Sequence, residues 1–267
     1  MTYDCTTSRL STHPIMLHYF PFADGIHPPT PARPTYHPKQ KGHGWPDECP
    51  PLRAANAFGW DVLAPFAMTF RRTRDGWKHL DPVDVTANFI WEPRAAIGEG
   101  APLVQRNAWF WDKGQVLPHR ISDDVYAELR DQVKVSTFLY IRTNANEQLM
   151  LGEVPNRIVP WRAFTAVLDT DWYPASYPWH GVLVLDRRER EIRIERNTPL
   201  FRLTLHKRQT YLATAMSDDS FDRFFAKGQK WLAANARAVV DDTADIRGAY
   251  VKSQRLALFR TTTGSET

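Results

Sequence analysis

The sequence predicts a mainly β protein: a β-sandwich or β-clip-like barrel with a C-terminal amphipathic helix and a proline-rich N-terminal wrap. Three observations predict it. From Ala57 onward, short aromatic-rich segments alternate apolar and polar residues with a period of two, which places one face of a strand in a core. Asp75-Gly76 and Lys113-Gly114 punctuate those segments as turns. Near the other end, Ser217 to Val240 changes to helical spacing.

The elements follow in chain order. Ten of the twenty prolines and five of the nine histidines lie in residues 1–51. Each proline removes a backbone donor and biases its predecessor toward extended geometry, so this segment is expected to wrap a domain surface, with one short strand at Met16 to Phe20. Its histidines, His13, His18, His27, His37 and His43, have irregular spacing and no accompanying carboxylate pattern, which argues against a metal site. Residues 52–246 then read as a single β-rich domain. FGWDVLA, FAMTFRR, VTANFIW and AWFWD are strands, and Arg74-Asp75-Gly76-Trp77 is a hairpin turn. Ser122 to Val133 is expected to form a short helix capped by Ser122, followed by strands in KVSTFLYIR and EQLMLG. Ala163 to Leu168, Gly181 to Leu185, Glu191 to Glu195 and Leu200 to His206 read as strands, with LDRRER as the turn between two of them. In the third, Ile192 and Ile194 face one way and the charges the other. Phe221, Phe225, Gly228, Leu232, Ala236 and Val239 form a packing stripe on the C-terminal helix, and residues 247–267 read as a polar tail.

Composition limits the function classes. The 267 residues carry 43% apolar and 12% aromatic side chains, enough for a substantial core. The longest apolar runs fall far short of the roughly 20 residues of a membrane helix. The N-terminus lacks the pattern of a secretory signal, so a cytoplasmic location and no membrane partner are expected. Net charge is only +4, with 34 basic and 30 acidic residues interleaved, so no nucleic-acid partner is expected. The runs Arg71-Arg72-Thr73-Arg74 and Arg187-Arg188-Glu189-Arg190 read as solvated hairpin turns. Cys5 and Cys49 are too few for a disulfide scaffold or a thiolate zinc site and read as free thiols. A Walker loop, a dinucleotide glycine fingerprint, a Gly-x-Ser-x-Gly elbow and a zincin helix are all missing from the sequence.

The candidate chemistry concentrates between Phe164 and Arg208. Asp169 and Asp171 stand two apart, so on a strand they share a face, which would suit a general acid and base, through their mutual repulsion, or a divalent cation held by carboxylates. As a turn, the same residues bond the local backbone. Trp172, Tyr173, Tyr177 and Trp179, stiffened by Pro174 and Pro178, form an aromatic loop that can sandwich a planar ligand or lid the sheet. His180 follows directly and His206 ends a later strand. Asp61, inside an apolar strand, must be paired or exposed. Arg142 is its candidate partner, or else the holder of an anionic substrate.

CPPLRAANAFGWDVLAP, YIRTNANEQLMLGEVPN, VLDTDWYPASYPW and IRIERNTPLFRLTLHKR together resemble an uncharacterised bacterial domain family of about 250 residues, with no activity implied. A more distant resemblance is to the β-clip fold of dUTPases and dCTP deaminases. Phe58-Gly59-Trp60-Asp61-Val62, Arg142-Thr143-Asn144, Leu168-Asp169-Thr170-Asp171-Trp172 and Asn197 to Arg202 stand in the order of that family's motifs. DWYPASYP lacks the glycine that lets backbone approach the sugar, and the fourth motif lacks its glycine and glutamine, so the resemblance implies the fold and not the nucleotide chemistry.

The expected function is therefore that of a small-molecule enzyme or binding protein for a compact polar or aromatic metabolite. Its catalytic candidates are Asp169, Asp171 and His180, and its substrate-binding candidates are Asp61, Arg142, Trp172, Tyr173 and Trp179. No metal ligand and no particular cofactor are named by the residues. The alternatives are a non-catalytic interaction module, a homo-oligomer included, that uses the aromatic loop, and a non-haem metal-dependent oxygenase-like protein.

Overall fold

The structure is a computed structural model describing residues 17–34, 49–91, 101–111, 129–173, 177–235, 237–238, 244–245, 248–254 and 256. The chain divides into two compact units. One comprises Met1–Thr30, Gly59–Val154 and Val159–Arg208, and the other Pro31–Phe58, Pro155–Ile158 and Gln209–Thr267.

Strands dominate. The early ones are β1 (His18–Pro21), β2 (Thr30–Pro31), β3 (Trp60–Leu63), β4 (Met68–Thr73), β5 (Gly76–His79), β6 (Asp84–Trp91), β7 (Ala101–Arg106) and β8 (Ala108–Phe110). The later ones are β9 (Gln132–Ser136), β10 (Leu139–Arg142), β11 (Glu147–Gly152), β12 (Trp161–Ala163), β13 (Ala166–Leu168), β14 (His180–Leu185), β15 (Glu191–Ile194) and β16 (Pro199–Lys207). One sheet has the order β13-β11-β16-β3-β2, a second β12-β14-β9-β8 and a third β15-β4-β5, while β1 with β10 and β6 with β7 form ribbons. The strand pairs among the described residues named here are antiparallel. Among the described residues no sheet closes into a barrel.

Period-two patterning explains the core. Leu149 and Leu151 of β11, Val133 and Val135 of β9, Leu183 and Leu185 of β14, and Ile192 and Ile194 of β15 are all buried and belong to one cluster. Their alternate neighbours lie on the opposite face of each sheet, exposed in β15 (Glu191, Arg193) but largely covered in β9, where Lys134 is buried. Phe201 of β16 meets Gly181 of β14 there. A Cβ at Gly181 would lie 2.4 Å from the Phe201 ring, so the position has room for hydrogen alone. A second cluster gathers Phe22, Ala23, Ala87 and Phe138, with Phe66, Phe89 and Tyr140 packed against it.

Two chain corners pass strands from sheet to sheet. Trp161–Ala163 pairs with β14, whereas Ala166–Leu168 pairs with β11. The expected strand from Ala163 to Leu168 is therefore two short ones in different sheets. The other corner lies at Thr137 and Phe138, where Phe138 has φ 55° and β9 gives way to β10. There the Ser136 hydroxyl accepts the Phe138 N–H at 3.1 Å, and the Thr137 hydroxyl donates to the Trp179 carbonyl at 2.6 Å.

Several local expectations are met. The hairpin between β4 and β5 forms as expected, but its turn lies one residue earlier than Arg74–Trp77: Thr73 pairs with Gly76 across the loop Arg74-Asp75, and Gly76, at φ 126°, opens β5. Others are corrected. Leu129–Asp131 is a single 3-10 turn and Val133 is in β9, so no helix reaches Val133; residues 122–128 of that expectation lie outside the described residues. LDRRER does not make a hairpin, because β14 joins the second sheet while β15 pairs with β4.

In the other unit, α1 (Pro50–Ala57) begins with prolines in its first turn, where a missing N–H costs nothing. Asn156 donates to Asn56 at 2.9 Å, and Asn56 donates to the Pro34 carbonyl at 3.2 Å. The predicted amphipathic helix is α2 (Asp218–Asn235), and none of its residues is buried. The packing its stripe predicts is not seen among the described residues. No described helix is long and apolar enough to cross a membrane.

Candidate functional site

The ribbon of β1 and β10 builds one side of a cavity. Its register sets His18 opposite Arg142, Tyr19 opposite Ile141 and Phe20 opposite Tyr140. Just past β10 the chain is tied to the Asp169–Tyr173 turn. The Thr143 N–H donates to the Thr170 carbonyl at 3.3 Å, and the two threonine hydroxyls are 2.8 Å apart and buried. His18, Tyr19, Phe20, Tyr140, Ile141, Arg142 and residues 170–173 line a cavity of about 470 Å³. That volume falls in the range of small-molecule sites, roughly 300–1,000 Å³.

The turn itself is held by its two aspartates. The Tyr173 N–H donates to the Asp169 carbonyl at 2.9 Å, the closure of a turn and not of a strand. Arg208 donates one terminal nitrogen to Asp169 at 2.7 Å and to Asp171 at 2.9 Å. Gln148 donates to Asp169 at 2.8 Å, and the Asn146 N–H to the other Asp171 oxygen at 3.2 Å. The bonds from Gln148 and Arg208 hold the Asp169 carboxyl below the usual carboxylate range. A carboxylate stabilised in this way is a weak base at neutral pH. The two acids thus share a guanidinium between them.

Arg142 stands differently. It is exposed at the end of β10, and its side chain makes no hydrogen bond or ion pair among the described residues. Its proposed partner is satisfied elsewhere: Asp61 accepts from Arg202 at 2.9 Å, with both side chains buried. The Asp61–Arg142 pairing suggested by the sequence is therefore corrected to Asp61–Arg202, a cross-strand pair of β3 and β16. Asp61 does not line the cavity.

The aromatic loop divides between wall and core. Trp172 is 64% exposed and Tyr173 42%, and their rings meet edge to face at 6.0 Å on the cavity wall. Trp179 instead packs against the main core and donates its ring N–H to the Ile141 carbonyl at 3.3 Å. Its backbone N–H also donates to the Leu139 carbonyl of β10 at 3.0 Å. His180 also lies off the cavity lining, between the Trp109 ring at 5.4 Å and the Tyr177 ring at 6.1 Å. Burial, helped by the Lys134 charge, lowers its pKa. Residues 174–176, including Pro174, lie outside the described residues.

Of the sequence candidates, the cavity brings together Arg142, Asp171, Trp172 and Tyr173. It does not include Asp61, Asp169, Trp179 or His180 in its lining. Sequence reasoning missed His18, Tyr19, Phe20 and Tyr140, which only the β1–β10 pairing brings in, and Arg208, whose signal was its place one residue past β16. Among the described residues no group of three His, Cys, Asp or Glu could hold a metal ion. No protein-family model matches the chain, and no curated protein matches it.

Proposed function

We propose that this protein binds a compact aromatic acid in the cavity between the β1–β10 ribbon and the Asp169–Tyr173 turn. The observation that carries the reading is the contrast between its charges. Asp171 is held by Arg208 and the Asn146 amide, while the Arg142 side chain at the same cavity makes no ion pair among the described residues. A planar guanidinium accepts a carboxylate in two parallel hydrogen bonds, and Trp172 and Tyr173 offer ring faces for the rest of the ligand.

Binding has more support than catalysis. The enzymatic version needs Asp169 or Asp171 as base and His180 as proton carrier, yet both acids are ion-paired to Arg208 and His180 is outside the lining. For the architecture, we read the two largest sheets as the layers of a sandwich, supported by the single core they share and by Phe201 seated on Gly181.

The test is tryptophan fluorescence titration with benzoate, phenylacetate and 4-hydroxyphenylacetate against their amide analogues. The acids are expected to bind and the amides to bind weakly. Arg142→Ala removes charged hydrogen bonds and should weaken the acids by roughly 10- to 100-fold. Equal affinity for acids and amides would refute the reading. The exposure of Trp172 and Tyr173 also suits a contact surface for a second copy. That second reading predicts a dimer by light scattering which Trp172→Ala converts to monomer.

A further inference from the structure

We infer a second anion site, for a compact phosphoryl compound, in a cavity at the turn after β14. The cavity has a volume of about 510 Å³, with Val159, Trp161, Val184 and Leu185 contributing apolar lining and Arg162, Arg187 and Arg188 contributing charge. The turn that carries Arg187 and Arg188 is tied to a second basic run far away in sequence, which does not itself line the cavity. Antiparallel pairing sets Arg71 opposite Glu191, the Arg72 N–H donates to the Arg190 carbonyl at 2.9 Å, and the Arg72 guanidinium donates to the Arg187 carbonyl. Neither run is an isolated turn.

The carboxylates at the cavity are already occupied. Asp131 pairs with Arg187 and accepts the Trp77 ring N–H at 3.0 Å. Asp186 is held by Arg188 through both oxygens, which drops its pKa to about 2. Those contacts use the Nε edge of Arg187 and the Nε and one terminal nitrogen of Arg188. A guanidinium has five donors in a planar fork, so each arginine keeps donors for a ligand while its acid holds it in place. Arg162 is exposed on β12, and its side chain has no hydrogen bond or ion pair among the described residues. Three guanidinia line the cavity against two carboxylates, which leaves one positive charge in excess and several N–H donors unused. A phosphoryl group, with several anionic oxygens, can use donors from more than one of these planar forks at once, which a carboxylate cannot, and the apolar lining accommodates its organic part.

Isothermal titration calorimetry of the full chain tests this, with inorganic pyrophosphate, phosphate and acetate at one fixed ionic strength. Pyrophosphate is expected to bind at one site per chain, phosphate more weakly and acetate not at all. Arg162→Ala should weaken pyrophosphate about tenfold, as loss of a charged hydrogen bond does. Arg188→Ala, at a side chain 88% exposed, should do the same and serves if the first variant is misfolded by circular dichroism. Arg142→Ala should leave pyrophosphate binding unchanged, which separates this site from the aromatic-acid cavity. Undetectable pyrophosphate binding, undiminished binding in properly folded Arg162→Ala or Arg188→Ala protein, or loss in Arg142→Ala would overturn the inference.

Discussion

Asp61 and Arg202 face each other on adjacent antiparallel strands, their charged groups 2.9 Å apart and each side chain only 4% exposed. A buried ion pair contributes little relative to apolar residues, but removing one partner strands the other charge, at about 3–5 kcal/mol. Asp61→Ala is expected to lower the unfolding free energy by that amount in urea titration. Removing both charges, as in Asp61→Leu with Arg202→Met, should cost clearly less. Equal losses in the single and double variants would show that the pairing is not what the strands require.

Gly181 and Phe201 make a second coupled pair. A methyl at residue 181 meets the Phe201 ring well inside contact distance, so Gly181→Ala should destabilise by about 1–3 kcal/mol through overpacking. Adding Phe201→Leu should restore part of that loss. Thermal unfolding of the two variants reads the coupling directly.

Acid stability should depend on the Asp169–Arg208 contact. Bonds from Gln148 and then Arg208 lower the Asp169 pKa beneath its ordinary 3.8, so across that interval the folded state binds fewer protons than the unfolded one. The stabilisation is fully present above 3.8 and is lost as pH falls toward the folded value. Arg208→Ala should therefore flatten the loss of stability below pH 3.8, while Asp186, held near 2 by Arg188, continues to contribute to it. Chemical denaturation at a series of acid pH values checks the slope.

Burial of His180 between Trp109 and Tyr177 has the same sign. Its pKa lies below 6.5, so it stays neutral in the folded chain until pH falls below that of an unfolded histidine. Proton NMR titration of its ring should place the midpoint under 6.5. A midpoint at or above that value would contradict the packing.

Much of the strand content was legible because period two survives wherever one face is buried, as in Ile192 and Ile194. The pairing was less legible. Alternation at Glu191 to Ile194 says nothing about which strand lies alongside, and β4, 120 residues away at Arg71 and Glu191, was hidden from local reasoning. Corners were obscured too, since Phe138 at φ 55° is a bulky residue where turn signals favour glycine or asparagine. Within the site, the crowding of Asp169, Asp171 and Trp172 was visible, but their division into a structural turn and a cavity wall depends on Arg208 and on β1. Neither could be placed from spacing alone.

The most direct test of the central claim is a crystal structure with the tightest-binding aromatic acid. The carboxylate is predicted at about 2.7–2.9 Å from the Arg142 guanidinium, the distance of charge-assisted hydrogen bonds. Its ring should lie against Trp172 or Tyr173. A ligand bound elsewhere, or one in this cavity whose carboxylate is held by another residue while Arg142 stays solvated, would contradict the account.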